Sequence, residues 1–117
     1  MSGTVVLYGI RNCDTMKKAF HWLDAHGVAY GFHDYKKLGV PPGLLEGWAE
    51  RLGWEALLNR AGTTFRKLPE AEREGLDAPR ALALLRAHPS AIKRPVLEAR
   101  GRLLLGFAPD AYDAAFA

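Results

Sequence analysis

The chain holds one cysteine, Cys13, in a short polar segment, Arg11-Asn12-Cys13-Asp14, between the apolar run Val5-Val6-Leu7-Tyr8 and a helical pattern. A lone cysteine is ordinarily a small buried hydrophobe. Its place in a polar loop raises thiol chemistry instead. A cysteine at the head of a helix faces unpaired backbone N–H groups and the positive end of the helix dipole, and both favour the thiolate. The dipole is worth about 0.3–1 kcal/mol, less than the roughly 1.4 kcal/mol that one pH unit represents. A thiol starting near about 8.5 therefore stays mostly protonated at neutral pH, and a useful nucleophile needs a cation beside it.

Three cations are candidates. Lys17 lies four residues after Cys13 and shares its helical face, although the same position suits a solvated surface lysine. Arg66 stands in the segment Gly62-Thr63-Thr64-Phe65-Arg66-Lys67-Leu68, and Arg94 precedes a proline in Ile92-Lys93-Arg94-Pro95-Val96-Leu97. Pro95 would remove a ladder hydrogen bond from a strand over Ile92 to Leu97. An edge strand would explain it, and so would a cis Arg94–Pro95 bond that turns the chain toward the thiol. Asn12, next to the cysteine, and Pro95 are the further candidates for substrate contact.

Other chemistries find little footing. The four histidines lack the spacing of a metal pair, and with one cysteine no metal site is expected. A single glycine in Leu7 to Asp14 does not make a phosphate loop. The net charge of +3 fits an anionic small ligand or an acidic partner, not the concentrated basic stripe of a nucleic-acid binder. No segment has the apolar length of a membrane span or the pattern of a signal peptide, so a free thiol points to the reducing cytoplasm.

The elements that must position these residues follow from periodicity. Val5 to Tyr8 reads as a buried strand of the parallel kind. Met16, Ala19, Phe20 and Leu23 mark one face of a helix that Asp14 and Thr15 begin and Gly27 stops. Val28 to Tyr35 alternates as a second strand, completing a βαβ unit with a right-handed crossover. Pro41-Pro42 opens a helix through Leu44, Leu45, Trp48 and Leu52, closed at Gly53, and Trp54 to Asn59 is a short further turn. Arg60 to Leu68 reads as a loop, and Pro79 to His88 as a helix. Ser90 to Ala99 and Arg102 to Phe107 form a hairpin about Arg100-Gly101, and a short helix closes the chain. Trp48 and Trp54 read as packed residues of the middle stretch, or as a partner surface.

The order is β-α-β, a helical stretch, then β-β-α: an α/β fold of thioredoxin-like arrangement with helices inserted between its halves. One domain over residues 1–117 is expected, with thioredoxin-like parts at about 4–35 and 90–117 and the insertion at about 36–89.

The segments from Leu7 to Lys37, Leu52 to Leu68, Ile92 to Leu97 and Leu103 to Phe107 together resemble the arsenate reductase-like (ArsC/Spx) family, most closely its YffB group. The resemblance implies a thioredoxin-like fold, a nucleophile at Cys13, basic residues at Arg66 and Arg94, and a cis proline at Pro95. It departs from the family's arsenate reductases after the last strand, where a third arginine is replaced by Gly106-Phe107. It departs from the Spx regulators at Cys13-Asp14-Thr15-Met16, where Met16 cannot close a disulfide. With no resolving cysteine, an adduct at Cys13 needs an outside thiol to clear it. Glutathione is the expected co-substrate, its two carboxylates suiting Lys17, Arg66 and Arg94. The expected activity is that of a glutathione-dependent thiol reductase or transferase with no bound cofactor. A non-catalytic protein-binding regulator of Spx type and an arsenate reductase with a depleted oxyanion site are the alternatives.

Overall fold

The computed structural model describes residues 4–117. In chain order the elements are β1 (Val5–Gly9), α1 (Asp14–Ala25), β2 (Gly31–Asp34), α2 (Tyr35–Leu38), α3 (Leu44–Leu52), α4 (Trp54–Leu57), α5 (Thr63–Arg66), α6 (Glu70–Arg73), α7 (Ala78–Ala87), β3 (Val96–Ala99), β4 (Arg102–Leu105) and α8 (Pro109–Ala115). They divide into two compact units, one formed by the residues up to Leu38 and from Arg94 onward, the other by Gly39–Lys93.

The first unit is a four-stranded sheet in the order β2-β1-β3-β4. β1 pairs parallel with β2 and antiparallel with β3, so it has strands on both sides, which explains its unbroken apolar run. Register sets Phe32, Leu7, Leu97 and Leu104 in one row across the sheet. Against that face pack Met16, Ala19, Trp22 and Leu23 of α1 and Tyr112 of α8 in a single buried cluster. This is the thioredoxin-like order, β-α-β then β-β-α.

Gly27 ends α1 in the left-handed conformation (φ 67°), and Val28 N–H returns to the Leu23 carbonyl at 2.9 Å. His26 Nδ1 donates to the Trp22 carbonyl at 2.8 Å while its ring stacks on the Trp22 indole. At the other end of the sheet Gly9 is required by a close approach. A Cβ there would stand 2.4 Å from Met16 Sδ.

Two strands of this unit depart from the periodicity reading. The second strand stops at Asp34, because Asp34 Oδ1 accepts the Lys36 N–H at 2.9 Å and turns Tyr35 into α2. The third strand begins at Val96, after the proline, and runs between β1 and β4 rather than at an edge. The Arg94–Pro95 bond is cis.

The second unit is helical, with Leu45, Trp48, Leu57, Phe65, Leu85 and Ile92 buried within it. Trp48 is thus a packed residue at 2% exposure. Gly53 (φ 85°) stops α3 as its position in the sequence implies, and Asp77 caps α7 by accepting the Arg80 N–H at 3.0 Å. The segment expected to be a loop contains α5, since Arg66 N–H and Lys67 N–H reach back to the carbonyls of Gly62 and Thr63. Ile92 is drawn away from β3 by a bridge to Leu58 in this unit.

Candidate active site

Cys13 is the residue that precedes α1. Its backbone is extended (φ −148°, ψ 134°), its carbonyl accepts the first helical N–H, from Lys17 at 3.0 Å, and its own N–H donates to the Arg11 carbonyl at 3.1 Å. This geometry aims the side chain at the open head of the helix. Cys13 is half-buried and free. Partial burial pushes its thiol up. The Met16 N–H, a hydrogen bond from the Arg94 guanidinium, the Thr15 N–H and the Arg94 charge together outweigh burial, and the thiol is held below its ordinary range. The two amides act on the sulfur through their dipoles, without closing a side-chain cap bond. Neither the helix nor the cation alone accounts for the site.

Arg94 is brought to the thiol because it ends the segment that leads through Pro95 into β3, beside the strand that leads to Cys13. Val96 pairs with Tyr8, five residues before the cysteine. Pro95 is fully buried and its carbonyl accepts the Gly106 N–H at 2.8 Å, which ties the start of β3 to the end of β4. Lys17 is exposed one turn along α1 and is not among the groups acting on the thiol. Asn12 is exposed beside Cys13. Arg66, at the end of α5, is an exposed residue of the second unit.

Two features escaped the reading of the sequence. The Arg11 guanidinium lies 5.0 Å from the Phe32 ring centroid and 6.0 Å from that of Phe20, so two aromatic rings steady a cation two residues before the cysteine. The signal was present as an arginine in the polar loop, but its aromatic partners lie on other elements. The second is a cluster of Tyr8, His33, Tyr35 and Glu98 on the face of the sheet away from α1, for which the only signal was a carboxylate inside an apolar strand. Among the described residues no group of His, Cys, Asp and Glu side chains is placed to hold a metal, and no helix is long and apolar enough to cross a membrane.

Cys13 thus stands at the head of α1 with the guanidinium of Arg94, the residue before a cis proline, at its sulfur. The ArsC family model matches residues 8–115. The chain belongs to the ArsC family. This ArsC-family chain is 41% identical over 113 residues to an uncharacterised protein of Haemophilus influenzae, covering 97% of this chain and 99% of that one. It is similar to a solved structure named as a YFFB protein, with 60% identity and a TM-score of 0.94 over 97% of this chain and 100% of the other. It also resembles an arsenate reductase (ArsC) related protein from Brucella melitensis, with 56% identity and a TM-score of 0.76 over 97% of this chain and 94% of that one. Membership of the family points to thiol-based reductase chemistry.

Proposed function

We propose that this chain is a glutathione-dependent thiol reductase or transferase in which Cys13 is the only nucleophile. The observation that supports the reading is a thiol held toward thiolate by Arg94 and the head of α1, in a chain with no second cysteine to resolve the product. The Cys13 thiolate attacks the glutathionyl sulfur of a mixed disulfide. A new S–S bond joins Cys13 to glutathione, and the substrate leaves as its thiolate. A second glutathione thiolate attacks the same glutathionyl sulfur, releases the Cys13 thiolate and departs as glutathione disulfide. In sum, one mixed disulfide and one glutathione become one substrate thiol and one glutathione disulfide.

Arg94 offers the tripeptide's carboxylates a charge-assisted bond, and Lys17 and Arg66 are assigned the same task on the sequence pattern. Asn12 borders the thiol, and Pro95 fixes the backbone beside it. The chemistry requires a reducing compartment, which the cytoplasm provides.

The two alternatives draw less support. The stretch after β4 offers no third guanidinium: no arginine follows Arg102, and in its place Gly106 takes the left-handed conformation (φ 73°) and Phe107 packs edge-on against Tyr112 at 4.9 Å. A purely protein-binding role gains nothing from a thiol drawn toward its ionised form.

The test is turnover of a glutathionylated peptide with glutathione, followed by intact-mass analysis. The wild-type protein should carry one glutathione on Cys13 during turnover, and Cys13→Ser should carry none and turn nothing over. Full activity in Cys13→Ser would sink the reading, and consumption of arsenate at a comparable rate would redirect it.

A further inference from the structure

The outer side of α1 carries a groove that the exchange chemistry leaves unused. Residues four apart on a helix form one ridge along it. From Cys13 that ridge continues through Lys17, His21 and Ala25, and the ridge beside it holds Lys18, Trp22 and His26. Together with Phe107 these residues line a groove of about 470 Å³, within the size range of ligand sites. All of them belong to the first unit. The apolar groups are the Trp22 indole, Ala25 and the Phe107 ring, which follows the left-handed turn at Gly106 (φ 73°) where β4 ends. His26, stacked on Trp22 at 3.8 Å, lies at the far end, where α1 stops. The end nearer the thiol is basic. Lys17, Lys18 and His21 are exposed, and none has an ion-pair partner among the described residues. Among the described residues no carboxylate lines the groove. The acidic residues of α1 are Asp14, in its first turn, and Asp24, which is engaged with the Tyr30 hydroxyl.

We infer that this groove seats the protein half of the mixed disulfide: an acidic segment with a large apolar side chain, next to the cysteine that carries glutathione. This deepens the proposed function and rests on the reading of Cys13 as a nucleophile. The unpaired cations call for carboxylates, and the Trp22 and Phe107 rings call for an apolar or aromatic side chain. The order of these groups along the helix sets the spacing. At a rise of about 1.5 Å per residue, Lys17 and Lys18 lie about 6–8 Å beyond Cys13, and Trp22 about 14 Å. An extended peptide advances about 3.3 Å per residue, so its acidic residues stand about two positions from the disulfide cysteine and the apolar one about four. In the proposed exchange Arg94, ahead of β3, holds the tripeptide. The peptide that departs as its thiolate then needs a footing of its own, and holding it in line speeds the attack. Lys17, assigned to the tripeptide, stands at the boundary, and Lys18 and His21 lie past it.

The experiment is steady-state turnover, with glutathione and the intact chain, of three mixed disulfides of glutathione. One is with 2-mercaptoethanol. The second is with a peptide that carries Glu two positions and Phe four positions to either side of its cysteine, and the third is with the same peptide carrying Lys for Glu. Wild type should favour the acidic peptide over the basic one by about five- to tenfold in kcat/KM, mainly through KM, the size of two exposed ion pairs. Lys18→Glu and Ala25→Glu, both at exposed positions, should lower kcat/KM for the acidic peptide by a similar factor. Turnover of the small disulfide, and the rate of Cys13 alkylation by iodoacetamide against pH, should stay close to wild type in both variants. Equal kcat/KM for the two peptides in wild type overturns the inference, and that comparison needs no variant to fold. A loss in Lys18→Glu that is as large on the small disulfide would give the groove to glutathione and also overturn it. So would a concentration-dependent dimer that Ala25→Glu dissociates, since a second copy would then cover the groove. If wild type turns over the small disulfide, only the inference is at stake. If it does not, the proposed function fails and the inference with it.

Discussion

The two faces of the sheet are built from the same four strands, and alternate residues send opposite chemistry to each. One face presents Phe32, Leu7, Leu97 and Leu104 to α1 and α8, a contact made of hydrocarbon and aromatic rings. The other presents His33, Tyr8, Val96 and Leu105 in one row and Glu98 in the next, with Tyr8 and Glu98 joined diagonally. The comparison teaches a division of labour. The first face supplies the burial that holds α1, and therefore Cys13, in place. The second carries a polar group, Tyr8 bonded to Glu98 with the His33 ring beside it, on the strand that Arg94 leads into. Substitutions on the first face should move stability, and replacement of Arg94 should move reactivity.

The largest effect belongs to the hydrocarbon face. Leu97 is fully buried, and Leu97→Ala should cost about 2–5 kcal/mol in urea denaturation, from lost transfer energy and the cavity left behind. Its alkylation profile, taken where the protein is still folded, should match wild type. A displaced profile would mean that the two faces are not separable. Gly9→Ala comes next. The added Cβ would meet Met16 Sδ at 2.4 Å, and Met16 is fully buried with little room to swing aside, so about 1–3 kcal/mol should be lost. Gly9 closes the strand below the thiol, which makes it the one position on this face where reactivity should also change.

The polar side inverts the pattern. Arg94→Met should lower the alkylation rate of Cys13 at pH ~7 by about five- to tenfold. This takes the low end of what a charge-assisted bond contributes, because the thiol is half-exposed and solvent screens it. The sign of the pH linkage follows from the lowered thiol. Its contribution to stability is fully present above the free-thiol range and disappears as the pH falls through the lower folded value. Arg94→Met should flatten that dependence. Urea titrations of both proteins across the interval would check it.

These contrasts also mark what the sequence makes legible. β1, the end of α1 at Gly27 and the tight turn at Arg100-Gly101 are local, each decided by a run or a glycine that a reader can see, whereas Pro95 by itself left an edge strand and a cis Arg94–Pro95 bond both open. The meeting of Cys13 with Arg94 was legible for a different reason, because an unactivated thiol needs a cation and few were available. Lys17 was the nearest along the chain, yet the cation acting on the sulfur comes from the lead into β3. The exit of Tyr35 from β2 depends on one Asp34 side-chain bond that competes with the strand, and alternation alone cannot reveal it. Glu98 with Tyr8 was the hardest to see. Their pairing is a diagonal between strands 90 residues apart, fixed only once the register of β1 against β3 is known.

The smallest effect separates the two faces by their buried tyrosines. Tyr112 and Tyr35 both bury a hydroxyl with no hydrogen-bond partner among the described residues. On the hydrocarbon face Tyr112 packs edge-on against Trp22 and Phe107, and burial alone raises its hydroxyl. Removing an unpaired buried hydroxyl while keeping the ring leaves that packing intact, so Tyr112→Phe should be neutral or stabilising by up to about 1 kcal/mol. The Tyr35 hydroxyl feels Arg94 and Glu98 with opposite sign, a field in which a hydroxyl dipole can orient favourably. Tyr35→Phe should therefore be the less stable of the two, having lost an oriented dipole that Tyr112 lacks. Equal stabilities in matched urea titrations would mean that the field on the second face does not reach Tyr35, and the contrast between the faces would then rest on Glu98 alone.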